Sequence, residues 1–137
     1  MEWARGAARF LVGGPPDPVL IVLEQSVDLL LELGVGAIAA HTAQLTDRLH
    51  AGAAEAGVVV WSSPEPDHRS SIVSITTGHA SRDESLVGEL ARREIIVARR
   101  GAGIRVSPHC YNTDDHIDRL LNAVSDFVTA ARRSRSS

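Results

Sequence analysis

The sequence predicts an α+β domain with elements in the order ααββαββα. Three observations carry this. Several stretches place apolar residues at helical spacing, four short runs are rich in β-branched residues, and glycine, proline or an N-capping residue stands at the boundaries between them. That order is expected to give a small four-stranded sheet, antiparallel or mixed, with helices packed on one face.

Residues 1–16 read as an extended or looped arm ending in "GGPP". Asp17 and Pro18 then open a helix, as N-cap and first helical residue. It runs to about Leu33, where Gly34 can end it. Leu20, Leu23, Val27, Leu30 and Leu31 lie on one side, but "VLIVL" makes the start apolar all round, which suits a helix covered on more than one face. A second helix spans about Val35 to Ala56. Ile38, Leu45 and Leu49 mark its apolar face, and Gly57 stops it. "VVVW" is a strand, "SSPEPDHRS" a loop and "SIVSITT" a second strand. Ser81 and Glu84 form a capping box for a third helix that presents Leu86, Val87, Leu90 and Ala91. "IIVA" and "GIRVS" are the last two strands, joined by a turn at "RRGA". Thr113 caps the final helix, with Asp114 and Asp115 in its first turn, where negative charge is favourable. Ile117, Leu120, Leu121, Val124, Phe127, Val128 and Ala131 keep helical spacing to the end. Residues 17–131 therefore read as one domain, and 132–137 as a frayed tail.

The chain has 137 residues, enough for one domain with a real core. Its formal net charge of -3 gives no reason to expect nucleic acid or an anionic membrane as partner. Every basic residue is arginine and none is lysine, so chemistry that needs a lysine amine cannot occur on this chain. A single cysteine, Cys110, excludes an internal disulfide. "MEWARGAARF" is not a secretory signal, and no apolar run approaches a membrane span, so a cytoplasmic protein is the default expectation.

Arg105 stands out because it lies between Ile104 and Val106 in a strand, with no acidic residue near it in sequence. Two readings are open: an edge-strand arginine whose stem packs on the sheet while its head reaches water, or a guanidinium placed to bind a carboxylate. Arg99 and Arg100, in the preceding turn, are either a solvated hairpin tip or an aid to binding an oxyanion. His109, Cys110, Asp114, Asp115 and His116 match no standard zinc spacing, and the aspartates already serve the helix start, so no metal site is expected. His109 reads as a turn residue near a substrate mouth, Cys110 as a small filler and His41 as a core or interface histidine. Trp3 and Trp61 read as packing residues.

Taken together, "ARFLVGG", "SVDLLLELGVGAIAAHTAQLTDRL", "SIVSI" and "VARRGAGIRVSPHCYNTDDHIDRLL" resemble the C-terminal part of class V aminotransferase-fold enzymes. These include cysteine desulfurases, kynureninase-like enzymes and epimerase-like members, all dependent on pyridoxal 5'-phosphate (PLP). The most specific element is Arg-x-Ser followed by Tyr-Asn-Thr and an acidic helix start. The resemblance implies the small domain of a fold-type I enzyme, closing over the cofactor. It further implies that Arg105 pairs with the α-carboxylate of an amino-acid substrate; Arg100 and His109 are added as substrate-binding candidates from their places in the turns on either side of that strand. The implied partner is a large PLP-binding domain or a second subunit. The family's lysine that bonds PLP lies upstream of every motif found here, so the chain alone is expected to be inactive. The family's arm usually reads Arg-Phe-Glu-x-Gly-Thr-Pro-Asn. Here Leu11, Gly14 and Pro16 replace the glutamate, threonine and asparagine, and Gly14 lacks the hydroxyl that reaches the cofactor phosphate. "RRGAG" also lacks the desulfurase cysteine, which argues against that reaction. The alternative function is a non-catalytic α+β module that binds a carboxylate ligand or a partner protein.

Overall fold

A computed structural model describes residues 6–10 and 17–133. The chain forms two compact units, residues 1–35 and 36–137.

In the first unit, a 3-10 turn at Gly6–Phe10 precedes helix α1, Asp17–Leu33. Gly34 ends α1 as expected. It adopts a left-handed φ of 82° and donates its N–H to the Leu30 carbonyl at 3.1 Å, which satisfies an orphan carbonyl of the last turn. None of the helix residues is buried.

The second unit holds helix α2 (Val35–Ala53), strands β1 (Val59–Val60) and β2 (Val73–Thr76), helix α3 (Ala80–Arg92), strands β3 (Ala98–Arg100) and β4 (Gly103–Val106), and helix α4 (Asp114–Arg133). With α1 this is the predicted ααββαββα order. The sheet is antiparallel throughout, in the order β1-β2-β4-β3. One face supplies Val73, Ile75, Ile104 and Val106 to the core. Leu45 and Leu49 of α2, Leu86 and Leu90 of α3, and Ile117, Leu120 and Val124 of α4 complete it. Each such side chain contributes about 1.5–3 kcal/mol when fully buried.

Three boundaries differ from expectation. Helix α2 ends at Ala53 rather than Ala56, because the chain closes a Schellman turn there. The Val58 N–H bonds the Ala53 carbonyl and the Gly57 N–H bonds that of Ala54, with Gly57 at φ 83°. A Cβ on Gly57 would lie 2.9 Å from Val128 Cγ1, so α4 packs directly against this turn.

The capping box at Ser81 and Glu84 does not form. Helix α3 starts at Ala80 behind His79, which makes no side-chain cap, and Ser81 lies inside the first turn. Asp83 takes over the local polar bonding. Fully buried, it accepts the Thr76 hydroxyl (2.7 Å), the Thr77 hydroxyl (2.7 Å) and the Thr77 N–H (2.8 Å), and so ties the end of β2 to α3. The box fails because the helix starts before Ser81, with His79 at the N-cap position.

Strand β3 was expected at "IIVA" and lies three residues later. Another Schellman turn ends α3, with the Ile95 N–H on the Leu90 carbonyl and Glu94 at a positive φ of 60°. Arg99 and Arg100 therefore belong to a strand, not a turn. Arg100 pairs with Gly103 across a two-residue loop, and Gly101 takes the left-handed φ of 55° that such a hairpin favours. Thr113 does stand before the last helix. Its N–H is received by His116 Nδ1 at 3.0 Å, so His116 takes the part a glutamate plays in a capping box.

Candidate carboxylate site on the open sheet face

Because strand residues alternate, the register fixes which side chains share the face opposite the core. Ile104 and Val106 point into the core and Arg105 points away from it, as the sequence predicts. Arg105 pairs with Ser74 on one side and Ala98 on the other. Val59 and Val60 pair with Thr76 and Ile75, and the Trp61 N–H bonds the Ser74 carbonyl at 2.8 Å. One row across the open face therefore reads Trp61, Ser74, Arg105, Ala98. The next row contains Val59, Thr76, Gly103 and Arg100.

Arg105 is half-buried, and among the described residues it makes no hydrogen bond or ion pair. Its Nε is buried without a partner, alone among the buried side-chain nitrogens and oxygens of the described residues. A buried donor left unmade costs about 1–3 kcal/mol, so the position calls for an acceptor. Several other arginines are already occupied. Arg48 forks onto Asp118 with two bonds of 2.6 Å, and Arg93 bonds Glu89 and Asp126. Arg99 faces the core side of β3 and donates to the Ala80 carbonyl at 2.5 Å, bracing the start of α3. Arg100 lies on Arg105's face, is exposed, and has no partner among the described residues.

His109 sits apart from this pair, exposed in the turn after β4. Its N–H bonds Asn112 Oδ1 (2.8 Å), its ring stacks on Tyr111 with centroids 5.1 Å apart, and its Nδ1 lies 3.1 Å from Cys110 Sγ. His41 Nε2 donates to the Asn112 carbonyl at 2.9 Å and ties α2 to the same turn. A groove of about 440 Å³ opens nearby between Ile96, Ser107, Tyr111, His116 and Arg119, but neither Arg105, Arg100 nor His109 lines it. The remaining expected contact, Gly14, lies outside the described residues, as do Leu11 and Pro16.

Two guanidinium groups on one side of a hydrogen-bonded sheet, with no anion bonded to them among the described residues, can bind an oxyanion. Arg105 can offer a planar two-bond fork. Sequence reading found Arg105 from its neighbours alone. It missed that Trp61 shares the face, although Val58 and Val60 turned inward already imply that Trp61 turns outward. It also missed Asp83, which no motif marks.

Comparison with known proteins gives the family and the fold of the chain. The model of the family described as aminotransferase class-V matches residues 1–120. A probable cysteine desulfurase of Aeropyrum pernix is 30% identical over 129 residues, which are 90% of this chain and 29% of that protein. An 8-amino-7-oxononanoate synthase of Gluconacetobacter diazotrophicus is 34% identical over 119 residues, 81% of this chain and 28% of that protein. Among solved structures, an apo cysteine desulfurase from Thermococcus onnurineus NA1 superposes with a TM-score of 0.81 at 20% identity, covering 94% of this chain and 35% of its own. A NifS-like protein superposes with a TM-score of 0.73 at 19% identity, covering 94% and 38%. The chain thus spans about a third of the length of these proteins. It belongs to the class-V aminotransferase family.

Proposed function

We propose that residues 17–131 act as the small domain of a PLP-dependent enzyme working on an amino acid, and that Arg105 binds the substrate's α-carboxylate. The observation that carries this reading is the buried, unpartnered Nε of Arg105 on the open sheet face. Arg100 adds positive charge on the same face, and His109 lies further along the chain at the margin.

The family uses PLP, but the residues of this chain do not fit covalent attachment of it. There is no lysine at all. What the chain offers is the oxyanion clamp, so the large PLP-binding domain or a second subunit is the proposed source of the cofactor and of turnover. In the assembled enzyme PLP would serve as electron sink. This chain's part would be to fix the carboxylate and orient the amino acid.

The relatives do not fix the reaction, since two at similar identity carry the names of different activities. The lone thiol follows Arg105 rather than preceding it, and it lies against His109. Desulfuration is therefore not the reaction we assign.

The test is a titration of the full chain, labelled with 15N at arginine, with acetate and with L-alanine. A charge-assisted fork worth about 1.5–3 kcal/mol corresponds to a Kd of roughly 5–100 mM. The Arg105 Nε–H resonance should shift and saturate in that range. The signal should vanish in Arg105→Gln and its response should persist in Arg48→Gln. An Arg105 resonance that stays still at saturating carboxylate refutes the assignment.

A further inference from the structure

Trp61 is 56% exposed, an unusual position for an indole in a small domain. Its ring is nonetheless held in place. A Cβ built on Gly103 would lie 3.6 Å from Trp61 Cε3 and 3.8 Å from Cζ3. The indole therefore reaches from the edge, across β2, and rests over Gly103 of β4. Gly103 is buried, and a side chain there would also meet the Ile75 carbonyl at 3.0 Å. The distances to the ring are those of ordinary van der Waals contact, so the indole rests directly over this position, and the close Ile75 carbonyl is what a side chain would crowd. Gly103 and Arg105 are two residues apart on one strand and face the same side, about 7 Å from each other. The indole thus covers the place immediately beside the carboxylate clamp.

We infer that Trp61 is a specificity-determining residue: with Arg105 it selects carboxylates that carry an aromatic or other flat apolar body. The clamp takes the carboxylate, and the exposed part of the indole takes the body by stacking. Ser74, between them in the row, is small enough to leave the floor open. An amino acid with an aromatic side chain meets both requirements, whereas a small or charged side chain leaves the indole in water. This inference rests on the assignment of Arg105 to carboxylate binding.

Trp3 is replaced by phenylalanine so that Trp61 becomes the sole tryptophan, and its fluorescence is followed as acetate, benzoate, L-alanine and L-phenylalanine are added. Arginine Nε–H resonances are recorded in parallel. Stacking of aromatic pairs predicts that benzoate binds roughly three- to tenfold more tightly than acetate, and L-phenylalanine than L-alanine by a similar factor. Trp61→Phe should keep most of this preference. Trp61→Ala should abolish it while the Arg105 Nε–H resonance still responds to acetate. Two outcomes overturn the inference alone: equal affinities for aromatic and aliphatic carboxylates, both dependent on Arg105, or a preference that survives Trp61→Ala. Absence of binding, or binding indifferent to Arg105→Gln, refutes the clamp and this inference with it.

Discussion

Replacing Asp83 tests whether the open face depends on polar bonding hidden behind it. The carboxylate is fully buried and accepts three hydrogen bonds of 2.7–2.8 Å, two on Oδ1 from Thr77 and one on Oδ2 from Thr76. Asp83→Ala removes both acceptor oxygens, and with them all three bonds, and strands the Thr77 N–H. At about 1 kcal/mol for each bond, with a further penalty for a buried donor left unmade, the loss is about 3–4 kcal/mol. Asp83→Asn is milder. Its oxygen can keep both Thr77 bonds, and its amide can donate to the Thr76 hydroxyl, which already accepts the Gly78 N–H at 2.9 Å. One hydroxyl proton then lacks an acceptor, at a cost of about 1 kcal/mol. Urea unfolding followed by circular dichroism measures both, with the slope checked for constancy. Domain stability is about 5–15 kcal/mol, so the alanine variant should lose a large fraction of it and the asparagine variant a small one. Equal midpoints for the two variants, or an alanine variant within 1 kcal/mol of the parent, would refute the view that this carboxylate fixes the end of β2.

Glu94 holds a left-handed φ of 60° at the end of α3, where a non-glycine residue is strained. Glu94→Gly should therefore raise stability by about 1 kcal/mol, read as a higher unfolding midpoint. The fork from Arg48 holds the Asp118 carboxyl below its ordinary pKa, mainly through its hydrogen bonds and then through its charge. The folded state thus binds fewer protons than the unfolded state. This contribution is fully present above the ordinary carboxylate value, about pH 4, and is lost as pH falls through the lower folded value. Asp118→Asn should lower the neutral plateau and flatten the acid limb of the stability curve, so that parent and variant converge at low pH. For α1, an apolar patch of this size should bind a hydrophobic dye or drive self-association of the folded chain. Ile21→Ser with Leu23→Ser should reduce either effect and leave the sheet's circular dichroism intact, and a strict monomer that binds no dye would contradict it.

Much of the fold could be read locally. Gly34, Gly57 and Gly101 take positive φ at turns, and the alternation of Ile104, Arg105 and Val106 gave the faces of β4 before any pairing was known. What could not be read depends on pairing between distant segments. The position of β3 is set by how α3 ends, and that end uses Glu94 in a conformation that sequence statistics assign to glycine. The Arg99–Arg100 pair looked like a hairpin tip because "RRGA" joins the strands read at "IIVA" and "GIRVS". In an edge strand the two side chains instead part to opposite faces, and only the register shows that Arg100 goes with Arg105 and Arg99 with α3. Trp61 joins the same face through its bond to Ser74, 13 residues later in the chain.

Two features remain that the rest of the fold does not use, and they differ in kind. Helix α1 carries Leu20, Ile21, Leu23, Leu29, Leu30 and Leu31, yet buries none of its residues. An isolated helix of this length is marginal in water, and most helical stability comes from packing an apolar face. Arg105 holds a buried nitrogen with no acceptor, in a protein whose other described buried side-chain polar atoms are all bonded. A self-sufficient domain gains nothing from either feature. Natural sequences keep local and global preferences consistent, and break that consistency mainly where a ligand or partner restores it. Among the described residues the helix has no buried position and the arginine no anion, so each feature specifies the chemistry of what would complete it. Both features support the proposed role as the small domain of a larger enzyme over a module that works alone.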